Sequence, residues 1–237
     1  MGGYLQIKAR PHELQKFNSP RPNQLYQYWT LQQNGWFRVL VIEPSGDPDE
    51  RISCSLLHRP LHHTTYYEAL SYTWGDEKAE YPILIDGNVL YVRRNLYCAL
   101  RELRGSQAAR ALWIDAICIN QNDDVERGFQ VEQMGNVYSF AERVIVWLGE
   151  AYDQTKAGFD GLAEYFRLSN AACQGAAANS DPTVGIAQGF EQFLSLPDAD
   201  SYLFGIVAIY SRPWWKRVWT VQEVGLAREL RYALEVG

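Results

Sequence analysis

Between Tyr67 and Gly149 the chain alternates apolar runs with segments of helical period. Tyr67–Thr73, Leu112–Ile119 and Arg143–Leu148 are each nearly continuous in apolar character. Runs of that kind read as strands buried on both faces, as in a parallel sheet. Arg94–Leu103 carries Leu96, Leu100 and Leu103 one helical turn apart, with Asn95 as its N-cap. Asp124–Ala141 places Met134, Val137, Tyr138 and Ala141 on one stripe. Both segments read as helices. Strand–helix–strand–helix order predicts an α/β fold, a mostly parallel sheet flanked by helices. The chain has 237 residues, 47% of them hydrophobic, which is enough for a sizeable core.

Extra N-terminal strands are expected at Trp36–Ile42 and Ile52–Leu57, joined by the Pro44–Pro48 turn. Pro82–Ile85 and Val89–Val92 flank Asp86-Gly87-Asn88, a hairpin signal. Residues 1–35 are polar, hold Pro11, Pro20 and Pro22, and read as an arm. The domain then runs over 36–237 and contains a helical insertion at 151–210. The insertion is expected to hold a helix over about 154–169, a mobile small-residue loop (Asn170–Gly189) and two further helical segments. A tryptophan-rich helix follows at 212–227, then a last strand at Leu230–Val236. Because the sequence stops just after that strand, it reads as one domain of a longer protein.

A net charge of −6 argues against binding nucleic acid through its phosphates and against an anionic membrane surface. No apolar run reaches the length of a membrane span. The N-terminus has no signal-peptide core, and Gln6 stands where a myristoylation site wants Ser or Thr. Cys54, Cys98, Cys118 and Cys173 have neither metal nor redox spacing, so a reducing cytoplasmic compartment is the simple reading. His58, His62 and His63 cluster without a Cys or acid at zinc-ligand spacing. Asp123, Asp124 and Glu126 are ordinary partners of a helix N-terminus.

Three tryptophan-anchored blocks carry the chemistry: Tyr67–Asp76, Leu112–Gln121 and Arg212–Val224. Tyr72, Trp74, Gly75 and Asp76 stand at the C-terminal end of a buried strand, where open parallel sheets bind ligands. An aromatic ring there can stack on a base, and Gly75 permits close backbone approach. The plain alternative is that Trp74 packs on a helix and Gly75 only makes the turn. Asp115 interrupts an apolar run, so it needs a partner: a ribose, or an arginine such as Arg217. The amides of Asn120 and Gln121 can bind a nucleotide or cap the helix that starts near Asp124. Arg212 and Arg217 can meet a pyrophosphate or pair at the surface. Glu223 follows Trp219 by four residues and would share one side of the helix with Trp215, Val218, Trp219 and Gln222. That places a carboxylate at the border of an apolar wall; the alternative is a Glu paired with Lys216 or Arg212 on a solvated flank. Trp214, Trp215 and Trp219 are most simply core.

In this order the blocks resemble the signature of the fungal heterokaryon-incompatibility (HET) domain. That signature reads Tyr-x-Ala-Leu-Ser-Tyr-x-Trp-Gly, then Trp-Ile-Asp-x-x-Cys-Ile-Asn-Gln, then Arg-x-Trp-x-x-Arg-x-Trp-x-x-Gln-Glu, and every position is filled here. Gln133, Met134, Tyr138 and the Val144–Gly149 strand extend the match, which spans residue 36 to the C-terminus. The resemblance implies non-self recognition and the death of fused cells. HET domains are in turn distantly similar to TIR domains, through Ser71-Tyr72, Asp115 and the Trp219-to-Glu223 spacing. Thr220 departs from that pattern, where TIR domains often carry a cysteine, as does the long insertion before the helix.

The TIR likeness implies a TIR-like, flavodoxin-like sheet and a catalytic role for Glu223 in cleaving NAD. It also places Ser71 with Tyr72 at the nucleotide site. NAD is then a substrate, with no prosthetic group. Nicotinamide leaves its cationic pyridinium form as a neutral base, so no general acid is needed. One carboxylate suffices to stabilise an oxocarbenium-like transition state. The same likeness implies a homo-oligomer, with 151–210 as a contact region, and partner signalling domains. A self-associating module without chemistry, and a nucleotide sensor that binds without turnover, stay open alongside the enzyme.

Overall fold

The structure is a computed structural model, and it describes residues 24–31, 35–62, 65–151, 153–175 and 182–235. Most of the expected N-terminal arm, His63 and the middle of the small-residue stretch lie outside those residues. The strands are β1 (Trp36–Ile42), β2 (Ser53–Pro60), β3 (Glu68–Tyr72), β4 (Tyr81–Ile85), β5 (Asn88–Val92), β6 (Arg110–Trp113), β7 (Val144–Glu150) and β8 (Leu230–Glu235). The helices are α1 (Arg94–Leu103), α2 (Asp115–Cys118), α3 (Asp124–Phe140), α4 (Asp153–Gly175), α5 (Pro182–Leu194), α6 (Ala199–Tyr210) and α7 (Thr220–Gly225). The chain divides into two compact units, one of residues 1–149 with 218–235 and one centred on residues 150–217.

The first unit is the expected α/β sheet with helices. Its eight strands run in the order β5-β4-β2-β1-β6-β3-β7-β8. β3 pairs in parallel with both β6 and β7, and β2 pairs in parallel with β4. The antiparallel pairings are β1 with β2, β1 with β6, and the β4–β5 hairpin. The first two of these involve the extra strand β1, and the third is the expected hairpin. Asp86 and Gly87 both have positive φ, 49° and 79°, the backbone that a two-residue hairpin of this hand requires.

All five β3 residues are buried, as a strand covered on both faces requires, and its two polar members are paired, Glu68 with Arg110 and Ser71 with Glu223. The chain reaches β6 on one side of β3 and then crosses to β7 on the other. Strand order therefore reverses at β3, and the crevice beyond its C-terminal end is where such a sheet admits a ligand. The right-handed crossover rule places α1 and α3 on opposite faces of these strands.

Three local expectations are corrected. Leu112–Ile119 is not one strand: β6 ends at Trp113, and the chain turns into α2. The tryptophan-rich helix is broken. Pro213–Lys216 is a 3-10 turn, Arg217 is extended at φ −81°, ψ 132°, and α7 starts only at Thr220. The small-residue stretch is largely helical, since α4 continues to Gly175 and α5 starts at Pro182.

The second unit holds α4, α5 and α6. Small residues let these helices approach closely. A Cβ at Gly205 of α6 would sit 2.3 Å from the backbone nitrogen of Gly158 in α4, and one at Gly189 of α5 would sit 2.5 Å from the Cα of Ser169 in α4. Among the described residues, no helix is long and apolar enough to cross a membrane.

Candidate functional site

β3 hands the chain to Thr73–Asp76, at the sheet edge where the strand order reverses. Gly75 takes φ +74°, a left-handed conformation that a side chain resists, and so turns the chain sharply. Its carbonyl accepts a 2.5 Å hydrogen bond from Nη1 of Arg93, the N-cap residue of α1. The same guanidinium lies 5.5 Å from the centre of the Trp74 ring. The Trp74 indole Nε1–H donates to both carboxylate oxygens of Asp115, at 3.1 and 2.9 Å. Asp115 is the first residue of α2, and its Oδ1 also accepts the Ala116 N–H at 2.7 Å. Its backbone carbonyl accepts from Nε2 of Gln121 at 2.8 Å. Trp74, Asp115 and Gln121 thus form one hydrogen-bonded cluster, and Arg93 links it to Gly75 by lying over the Trp74 ring.

Glu223 enters from far away in sequence. It sits on α7 with a relative exposure of 1%, and it accepts a short hydrogen bond at Oε2 from the Ser71 hydroxyl on β3. A buried carboxylate must be hydrogen-bonded, so this contact stabilises α7 against the sheet. α7 also packs on α3, where Gly135 leaves room: a Cβ there would lie 2.9 Å from Nε2 of Gln222. Ser71 and Trp74 are three residues apart, so β3 and its turn carry both the carboxylate contact and the indole contact.

The other residues singled out in the sequence fall in different places. Tyr72 is buried in the hydrophobic core, and Asp76 is exposed. The Asn120 backbone N–H donates to Glu126 at 2.7 Å, and its Oδ1 accepts from the Asn122 N–H at 3.2 Å. The N-cap of α3 is Asp123, which accepts from the Val125 and Glu126 N–H groups, and neither Asn120 nor Gln121 fills that place. Trp219 is 52% exposed at the N-cap of α7, so it is not core. Arg212 and Trp215 belong to the second unit. Arg212 is buried there and donates to the Glu150 carbonyl at 2.7 Å and to Thr155 Oγ1 at 2.9 Å. Trp215 donates to the Ile209 carbonyl at 3.0 Å and lies against Tyr210 and Trp214.

Two contributors were missed by sequence reasoning. Asn95 is not the cap of α1. It donates to the Thr73 carbonyl at 2.6 Å and accepts from the Trp147 indole at 2.8 Å, tying α1 to β7 and to the start of the turn. Arg93 reads as an unremarked surface cation until Gly75 and Trp74 are seen beside it. Cys118 is fully buried, and burial pushes its thiol up to about 12, so it is no nucleophile at neutral pH. Among the described residues no cluster of His, Cys, Asp and Glu could hold a metal ion. An open groove of about 340 Å³, lined by Val39, Val41, Leu57, Arg59 and Tyr66 among others, includes none of the cluster residues.

The model of the family described as heterokaryon incompatibility protein (HET) matches residues 67–223. That range begins at Tyr67 and ends at Glu223, so it holds all three tryptophan blocks but for one residue. The chain is also similar to heterokaryon incompatibility protein 6, OR allele, of Neurospora crassa. The two are 30% identical over 222 residues, an alignment that covers 83% of this chain and 32% of the relative. The chain therefore spans about a third of the length of that relative. No solved structure matches it. A family model that takes in both the indole–carboxylate cluster and the Ser71–Glu223 contact settles membership: this chain belongs to the heterokaryon incompatibility (HET) family.

Proposed function

We propose that this chain is the effector module of a non-self recognition protein and triggers cell death by hydrolysing NAD at the nicotinamide–ribose bond. The name of the Neurospora relative and the family match support the biological role. The observation that carries the chemical reading is a buried carboxylate, Glu223, delivered by α7 to β3 at the strand where the sheet order reverses. TIR-like architecture is part of the same reading.

In the reaction, water adds to the anomeric carbon of the ribose. The carbon–nitrogen bond breaks with its electron pair going to the pyridine nitrogen, and a proton passes to solvent. Nicotinamide leaves neutral, and ADP-ribose remains. Glu223 would stabilise the developing oxocarbenium charge and orient the ribose hydroxyls. The Trp74–Asp115 turn, with Gly75 and Gln121, would line the nucleotide side of the crevice. Self-association would assemble the active form in the cytoplasm, and partner signalling domains would control it.

A second reading, a self-associating module without chemistry, is favoured by one specific observation. Glu223 is almost wholly enclosed and already bonded to Ser71, which is also what a structural latch looks like. Expression in a host cell separates the two. The enzyme reading expects cell death accompanied by a fall in NAD, and Glu223→Ala should abolish both. Death that survives Glu223→Ala, with NAD unchanged, would establish the non-catalytic module.

A further inference from the structure

α2 is only four residues long, too short to hold a helical turn by its own hydrogen bonds. Its last carbonyls are held from outside. The Tyr28 hydroxyl donates to the Ile117 carbonyl at 2.9 Å, and Nη1 of Arg38 donates to the Cys118 carbonyl at 3.1 Å. Arg38 is wholly buried on β1, and Nη2 donates to the Trp29 carbonyl at 2.7 Å. Its guanidinium also binds both carboxylate oxygens of Glu126 on α3, at 2.5 and 2.9 Å, and lies 5.1 Å from the Tyr28 ring centre.

The segment that carries Tyr28 is itself anchored. Tyr26 N–H donates to the Val89 carbonyl, and Val89 N–H donates to the Gln24 carbonyl, each at 2.8 Å. Tyr26 also packs edge-on against Tyr28 at 5.1 Å. Burial raises the Tyr28 phenol well above its ordinary range, so the hydroxyl remains a donor at any working pH.

The other end of the same turn is Asp115, which grips Trp74. A single helical turn moves as one piece, so whatever fixes its last carbonyls fixes its first side chain. We infer that Tyr28 and Arg38 are positioning residues for the Trp74–Asp115 pair, acting through α2. Both lie before the matched range 67–223, so a segment outside the family match completes this part of the site. The functional weight of the inference rests on the proposed placement of that pair beside the nucleotide.

Removing Arg38 would strand Glu126 in the interior and weaken the whole unit, so the test uses Tyr28→Phe, which keeps the ring and deletes one hydrogen bond. The readout is hydrogen exchange of the indole Nε1–H groups, measured by NMR on the full chain without nucleotide. Trp74→Phe assigns the Trp74 signal. Trp147 is the internal control, because its indole is held by Asn95 of α1 and not by α2. Loss of one hydrogen bond predicts exchange at Trp74 roughly fivefold faster in Tyr28→Phe, with Trp147 unchanged. An unchanged Trp74 rate, or equal acceleration at Trp74 and Trp147, overturns the inference. Because no nucleotide is present, absence of NAD turnover would leave this result standing.

Discussion

The Arg38–Glu126 pair offers a quantitative test of how the first unit is held together. Arg38 has no exposed side-chain surface, and Glu126 has 9%. Their two-point contact is supplemented by the Trp29 and Cys118 carbonyls on the guanidinium and by the Asn120 N–H on the carboxylate. Removing one member leaves the other as an uncompensated charge in the interior, which typically costs about 3–5 kcal/mol. Arg38→Met and Glu126→Leu should each fall in that range. The double variant leaves no buried charge, only two carbonyls and one N–H to satisfy. Its cost should therefore be at least about 2 kcal/mol less than the sum of the singles. Native-state hydrogen exchange at the amides of Leu40 and Leu112, partners in the β1–β6 register, reports this unit rather than a chain average. Single variants that cost under about 1 kcal/mol and add independently would refute the reasoning.

Two further predictions probe other parts of the fold. Burial raises the Asp86 carboxyl above its ordinary value of 3.8, with a Leu56 backbone hydrogen bond opposing the shift. The folded state then keeps the Asp86 proton where the unfolded chain has lost it, so this group's contribution to stability is fully present at low pH and is lost as pH rises through the raised value. Asp86→Asn, which tolerates the same positive φ, should lose less stability than wild type between about pH 4 and about pH 7 in thermal melts; equal losses would contradict the assignment. In the helical unit, Gly205→Ala puts a Cβ 2.3 Å from the backbone nitrogen of Gly158 and 2.4 Å from the carbonyl oxygen of Gln154. Neither atom can rotate away, so a loss of about 2–3 kcal/mol is expected in the protection of α4 and α6 amides, and full retention would show that the two helices do not pack so closely.

Much of the fold was legible wherever local chemistry decides it. β1 and α1 fall at the expected bounds because apolar spacing and breakers agree there. The Asp86-Gly87 turn was readable because only such residues accept two successive positive φ values. One recurring cause of error is contact between residues far apart in sequence. Leu112–Ile119 is uniformly apolar, and periodicity cannot separate a buried strand from a buried helical turn. The helical turn α2 is met at its Ile117 and Cys118 carbonyls by Tyr28 and Arg38, 89 and 80 residues upstream. The Asn170–Gly189 stretch looked like a loop because glycine and alanine dominate it, yet those residues permit the close packing of α4 and α5. Arg217 breaks the tryptophan-rich segment, so Trp219 is exposed while Glu223 turns inward. Glu223 itself was readable as a carboxylate of interest. Its partner Ser71, 152 residues away, was placed at the nucleotide site and not against that carboxylate.

The most direct test is NAD consumption by the purified chain at high concentration, wild type beside Glu223→Ala, with products separated by chromatography and folding checked by circular dichroism. Wild type should release nicotinamide, and a folded Glu223→Ala should release none. Nicotinamide released equally by both proteins would contradict the role given to Glu223. Release by neither, from protein shown to be oligomeric, would contradict the enzyme reading and leave the self-associating module in its place.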